Sequence, residues 1–252
     1  MMKSSTIHPI VAWLRERVQA AGTHGFVVGL SGGIDSAVVA RLCQMATPNR
    51  VLGVMLPCYS HTQDESDARL LAKTFGIPLA RVDLSQTFDA LTGELHSALK
   101  GLPQSVHVTD IKQQMPEANV KPRLRMTALY FVANSLNYLV AGTGNRSELT
   151  LGYFTKHGDG GCDVLPIGNL LKSEVRALAR ELGVPRAIID KAPSAGLWIG
   201  QTDEIEMGFS YDMLETYLTK GPDAVPDEVA RRIDALHRSS EHKRHMPPRP
   251  GM

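Results

Sequence analysis

The 252 residues suffice for one large α/β domain with a full core, and 43% hydrophobic against 21% charged residues is ordinary for a globular chain. With 27 basic and 26 acidic side chains the net charge is +1, so nothing draws the whole chain to nucleic acid or a membrane, and any anion site must be local. No apolar run has the length of a membrane span, the N-terminus lacks a signal-peptide core, and Cys43, Cys58 and Cys162 suggest neither a disulfide framework nor a zinc site; a reduced, cytoplasmic setting fits.

Apolar positions Ile7, Ile10, Val11, Leu14 and Val18 predict a helix over 7–21, closed by Gly22. Residues 26–30 read as a buried strand, followed by a Ser-Gly-Gly turn and a helix over 36–45. A second strand spans 51–56. The helix after it carries Ala68, Leu71, Ala72 and Phe75 on one face and stops at Gly76. A strand over 79–84 and a helix over 87–99 come next. Residues 100–122 hold Gly101, Pro103, Pro116 and Pro122, and read as a loop or short helical excursion. Helix returns over 123–136 and strand over 138–141, before a glycine-rich stretch at 142–168. A helix over 172–182, an irregular segment over 191–206, helices near 211–218 and 227–237 and a basic, proline-rich tail complete the chain. Short apolar runs alternating with amphipathic helices imply a doubly wound parallel sheet with helices on both faces, in a single domain over 1–252.

The strongest motif is Ser31-Gly32-Gly33-Ile34-Asp35-Ser36, preceded by Gly29 and Leu30 at a strand end and opening a helix. A helix N-terminus offers unpaired N–H groups and partial positive charge, glycines let the backbone approach closely, and the serines add hydroxyl donors, all of which suit phosphate. No Lys follows, so this is not the common phosphate loop, nor is it a dinucleotide fingerprint. Asp35 repels bound phosphates unless a cation lies between, and magnesium resolves that conflict; Asp35 also has a plainer reading, as complement to the helix dipole. Lys172, near a helix start, opposes its dipole, and a local rule broken like that often marks a site.

The S-G-G-x-D-S loop resembles the pyrophosphate-binding loop of the N-type ATP pyrophosphatases, which cut ATP between the α and β phosphates. Residues 142–148 (Gly-Thr-Gly-Asn-Arg-Ser-Glu), the stretch through Gly152-Tyr153-Phe154-Thr155-Lys156 to Asp163 and Pro166, Lys172, Ala192-Pro193-Ser194-Ala195, Gly200-Gln201-Thr202-Asp203-Glu204 and Glu241-His242-Lys243-Arg244 together resemble the NAD synthetase branch over nearly the whole chain. The resemblance implies a Rossmann-like, adenine-nucleotide alpha-hydrolase-like fold. It also implies a ligase that amidates deamido-NAD with ammonia through an acyl adenylate, releasing AMP and pyrophosphate.

By residue, the resemblance implies ATP binding by Gly29, Leu30, Ser31, Gly32, Gly33, Ile34, Asp35, Ser36, Met55, Thr143, Lys172 and Ser194. Asp35 and Glu148 are implied as magnesium ligands, and Asp35 and Lys172 as catalytic. Arg123, Lys156, Asp163, His242 and Lys243 are implied to hold deamido-NAD. Residues 100–122 and 191–206 are candidate lids that keep water from the adenylate. About 25 residues precede the first strand, too few for a glutaminase domain, so free ammonia is the expected nitrogen donor. A homodimer is carried over from the family. Two other readings stay open: RNA thiolation through Cys58 and Cys162, opposed by the near-neutral charge, and an adenine-nucleotide sensor, opposed by a second implied metal ligand.

Overall fold

The computed structural model describes residues 6–103, 114–191 and 203–250. In chain order the elements are α1 (Ile7–Ala20), β1 (Phe26–Gly29), α2 (Ile34–Ala46), β2 (Val51–Met55), α3 (Thr62–Phe75), β3 (Leu79–Arg81), α4 (Ser85–Lys100), α5 (Gln114–Leu136) and β4 (Leu139–Ala141). There follow α6 (Arg146–Leu151), α7 (Lys172–Glu181), α8 (Arg186–Ile189), α9 (Asp203–Met207), α10 (Tyr211–Lys220) and α11 (Asp227–Ser239), with single 3-10 turns at Pro222–Ala224 and Glu241–Lys243.

The four strands are all parallel, in the order β3-β2-β1-β4. From β1 the chain winds outward through β2 to β3, then returns to place β4 on the other side of β1. The strand order therefore reverses between β1 and β4, and the crevice beyond the carboxyl ends of those strands is where such sheets bind ligands.

Alternation along the strands divides the core. Phe26 and Val28 of β1 point into the layer made by α1, α2, α3, α7 and α8, while Val27, with Val54 of β2 and Val140 of β4, points at α4 and α5. Covered on both faces, β1, β2 and β4 carry no charged residue, as the inner strands of a parallel sheet require, while the edge strand β3 ends in the exposed Arg81. A third cluster, of Leu151, Met207, Phe209, Tyr211, Leu214, Val229 and Ile233, fastens α10 and α11 beside α6.

Four stretches differ from the sequence reading. Helix α5 is described from Gln114 onward and carries Pro122 inside it, where a loop or short helical excursion is expected through 122. Pro116 falls in the first described turn, and Pro122 removes only one N–H; burial of Val120, Leu124, Ala128 and Leu129 against the sheet outweighs that loss. The glycine-rich stretch contains α6, a single capped helix. Strand β3 ends at Arg81 rather than at 84. Of the expected irregular segment over 191–206, residues 192–202 lie outside the described residues and 203–206 open α9.

Asp163 completes the edge of the sheet. Its N–H donates to the Val140 carbonyl at 2.9 Å, its Oδ2 accepts the Val140 N–H at 2.7 Å, and the Tyr130 hydroxyl donates to Oδ1 at 2.9 Å. The next residue, Val164, bridges Ala141 in parallel. Removing one partner of a charged hydrogen bond leaves the other unsatisfied, so Asp163→Ala is expected to cost about 1–3 kcal/mol. Urea denaturation of the variant checks this, with the Tyr130→Phe variant showing a smaller loss.

Candidate active site

The phosphate loop is held open by its own side chains. Gly32 has φ +75°, and a Cβ there would come within 2.4 Å of the Asp64 carbonyl oxygen, so only glycine fits. The Ser31 hydroxyl accepts from the Gly33 N–H at 3.3 Å and pairs with the Ser36 hydroxyl at 3.2 Å. The Ser36 hydroxyl donates back to the Gly33 carbonyl at 2.9 Å and is buried. The two serines therefore shape the loop, which leaves the backbone N–H groups at the start of α2 to face a ligand.

Asp35, in the first turn of α2, meets two other helix starts. Helix α6 opens with a reciprocal cap: the Asn145 side chain accepts the Glu148 N–H at 3.0 Å, and the Glu148 carboxylate accepts the Asn145 N–H at 3.2 Å. The Asn145 Nδ2 group then donates to Asp35 Oδ1 at 3.2 Å. Lys172 is the first residue of α7; its Nζ lies 2.5 Å from Asp35 Oδ2 and 3.4 Å from Glu148 Oε1. Its side chain is only 3% exposed, and Nζ stands 5.3 Å from the centre of the Tyr211 ring.

Burial governs the charges here. It pushes the Glu148 carboxyl well above the usual carboxylate range; Lys172 opposes that rise and Asp35 adds to it. Burial alone lowers Lys172, but the attraction of Asp35 and Glu148 outweighs it and raises the group, so the ammonium stays charged. Two carboxylates thus converge on a single cation. Among the described residues no cluster of three or more His, Cys, Asp or Glu side chains is placed to hold a metal ion. A two-carboxylate set nonetheless fits magnesium, which fills its remaining positions with water and substrate phosphates. The Lys172 ammonium shows that a positive charge satisfies both carboxylates together.

These groups stand at one end of a cleft of about 640 Å³ beyond the carboxyl ends of β1, β2 and β4. Gly29, Leu30, Ser31, Gly33, Ile34, Asp35, Ser36, Met55, Thr143, Glu148 and Lys172 all line it, with Gly32 forming the turn behind. Ser194 lies outside the described residues. Of the residues expected to hold the acid substrate, Lys243 lines the cleft, where its Nζ donates to the carbonyls of Gly152 and Phe154, both at 2.7 Å; burial lowers its pKa. Arg123, Lys156, Asp163 and His242 are not among the lining residues. Three of them form a surface group, in which Arg123 donates to the Lys156 carbonyl at 3.3 Å and Lys156 Nζ to the His242 carbonyl at 2.6 Å. Asp163 sits apart, at the sheet edge.

Several residues in or just behind the cleft escape the sequence reading. Asn145 ties Asp35 to Glu148, and its signal was present: Asn-x-x-Glu is a capping box. Arg125 carries no such mark. Its guanidinium, whose pKa burial lowers, donates to the Leu56 carbonyl at 3.0 Å beyond the end of β2. Lys191 bridges Asp64 at 2.6 Å and Asp67 at 2.7 Å, which fixes the first turn of α3 under Gly32.

Comparison with known proteins points the same way. A family model described as NAD synthase matches residues 6–247. The NH(3)-dependent NAD(+) synthetase of Carboxydothermus hydrogenoformans is 50% identical over 238 residues, covering 94% of this chain and 93% of that one. Among solved structures, the NMN synthetase of Francisella tularensis matches with a TM-score of 0.90 and 37% identity over 100% of both chains. The NH3-dependent NAD synthetase of Campylobacter jejuni, in complex with the nitrate ion, matches with a TM-score of 0.78 and 28% identity, again over 100% of both.

Asn145→Ala removes a helix cap and the bridge to Asp35 together. Loss of the cap is expected to cost about 0.5–2 kcal/mol, read as a lower denaturation midpoint. Asn145→Ser, which keeps a capping oxygen but cannot reach as far, is expected to recover most of that stability.

Proposed function

This chain belongs to the NAD synthase family, and on that premise we propose that it is an ammonia-dependent ligase that converts deamido-NAD to NAD while splitting ATP to AMP and pyrophosphate. The observation that carries the reading is the meeting of Asp35, Glu148 and Lys172 at the mouth of the phosphate loop.

The attacking nicotinate carboxylate and the ATP triphosphate are both anions, so adenylation needs positive charge between them. The N–H groups at the start of α2 receive the departing pyrophosphate, helped by the positive end of the helix dipole. Asp35 and Glu148 would hold magnesium, which supplies charge neutralisation of the phosphates when bound. Lys172, freed from the two carboxylates, turns its ammonium toward the phosphates and stabilises negative charge gathering on the leaving group. Met55 offers an apolar wall and Thr143 a hydroxyl for the nucleotide. Lys243, with Arg123, Lys156 and His242 at the surface, suits the substrate's own diphosphate, and Ser194 is assigned an ATP contact by the family resemblance. The resulting acyl carbon is attacked by ammonia; the C–N bond forms, the C–O bond to AMP breaks, and nitrogen gives up a proton.

Two finer points go with this reading. We propose a homodimer, supported by exposed Leu91, Leu95, Leu99 and Leu102 along and just beyond α4 and by Phe131, 74% exposed on the neighbouring α5. The free thiols Cys43, Cys58 and Cys162 support a cytoplasmic setting. Among the described residues no helix is long and apolar enough to cross a membrane.

A second reading concerns the acid substrate alone. The Francisella tularensis structure bears the name NMN synthetase, which makes nicotinate mononucleotide the alternative acid for the same adenylation. The deciding experiment supplies ATP, magnesium and ammonium with either acid. The main reading requires NAD, AMP and pyrophosphate in equal amounts from deamido-NAD, with a lower kcat/KM for the mononucleotide; the reverse preference moves the assignment to the second reading. ADP and orthophosphate as products would remove both. Asp35→Asn is expected to lower kcat by about 100-fold or more. For the dimer, the Leu95→Asp/Phe131→Asp double variant is expected to sediment as a monomer where the wild type sediments as a dimer.

A further inference from the structure

Behind Lys172 stands an aromatic ring. Tyr211 opens α10, and the centre of its ring lies 5.3 Å from Lys172 Nζ. The residue is buried among Leu151, Phe209 and Leu214 and does not line the cleft. Two contacts with α9 fix it: its N–H donates to Glu204 Oε1 and its hydroxyl to Asp203 Oδ2, both at 2.9 Å. Asp203 does line the cleft and is itself buried. Burial, then the nearby carboxylates of Glu148 and Asp203, push the Tyr211 phenol far above its ordinary range, so the ring stays neutral.

Resting on the proposed reaction, we infer that Tyr211 is a positioning residue, the station that keeps the Lys172 ammonium in place when a divalent ion takes Asp35 and Glu148. Two carboxylates cannot serve both cations at full strength. The ammonium already lies 2.5 Å from Asp35 Oδ2 and 3.4 Å from Glu148 Oε1, and a magnesium ion would need the same two side chains. Lys172 is almost fully buried, so once displaced it has little water to turn to, and a buried cation without a partner is costly. The face of a neutral ring attracts a desolvated ammonium. It does so without a full negative charge, which would repel the ATP phosphates and hold the lysine back from them. Asp203, one phenol hydroxyl away, adds a weaker pull on the same ammonium.

Manganese added alone, and followed by loss of the electron-spin signal of the free ion, reads the metal affinity of the two carboxylates without turnover. Tyr211→Leu is expected to weaken manganese binding by about five-fold or more, because the displaced ammonium loses its resting place. Beside Lys172→Met the same substitution is expected to change it by less than about two-fold, since no ammonium remains to be placed; such a cycle separates an effect through Lys172 from a general one. Should Tyr211→Leu lose its fold, phenylalanine and its fluorinated analogues at 211 carry the same test. Fluorine strips negative charge from the ring face at nearly constant shape, so affinity should fall stepwise with the number of fluorines. Unaltered manganese affinity in Tyr211→Leu, an equal loss with and without Lys172, or a flat fluorine series overturns the inference. Wild-type manganese binding that survives Asp35→Asn would instead defeat the metal site of the proposed function, and this station with it.

Discussion

A lysine ammonium removed from water is tolerable only with negative charge placed against it, and the site grows from that constraint. Lys172 is almost fully buried at the start of α7, where the helix dipole also opposes it. Asp35 and Glu148 compensate for both burdens at once. Glu148 depends on the cation in turn, since burial drives its carboxyl toward the neutral form and Lys172 opposes that. Each charge therefore holds the others in place, and removing any one strands the remainder in a poorly solvated pocket.

The fold supplies the meeting point. Three helices begin at the carboxyl edge of the sheet, around the place where the strand order reverses, and each contributes one member of the charged group from its first turn. Those N-termini add partial positive charge that favours the two carboxylates before a ligand arrives and phosphate oxygens once it does. Asn145 does two jobs in this arrangement, capping α6 and reaching Asp35, so a local stop signal becomes a tertiary tie. Lys191 does likewise at the first turn of α3, whose backbone supports Gly32.

The proposed chemistry exchanges one cation of this group for another. A divalent ion carries more charge than an ammonium and suits the same two carboxylates, leaving the lysine available to phosphate. In the proposed reaction the helix N-termini are already aimed at the polyanion, and the rearrangement left to make is that of the Lys172 ammonium. The serines of the loop serve this by shaping backbone, a role read from Ser36 donating to Gly33 behind the surface a phosphate would touch.

The sequence by itself determined the parallel α/β architecture, because apolar strands alternating with amphipathic helices can bury their faces in few other ways. It also marked the phosphate loop, since Gly-Gly between a strand and a helix, followed by an acid, has few structural uses. What it left open were facts about pairs distant in the chain. Asp35 and Lys172 are 137 residues apart, and only folding shows that they touch. The extension of α5 through Pro122 was hidden because local proline chemistry argues against helix, while the packing energy of Val120 and Leu124 on the sheet comes from partners remote in sequence. Asp163, a polar residue in a glycine-rich stretch, had no local sign that it would finish a sheet edge through Val140. Composition and spacing record what each segment prefers; which segments satisfy one another is decided only when the sheet brings their ends together.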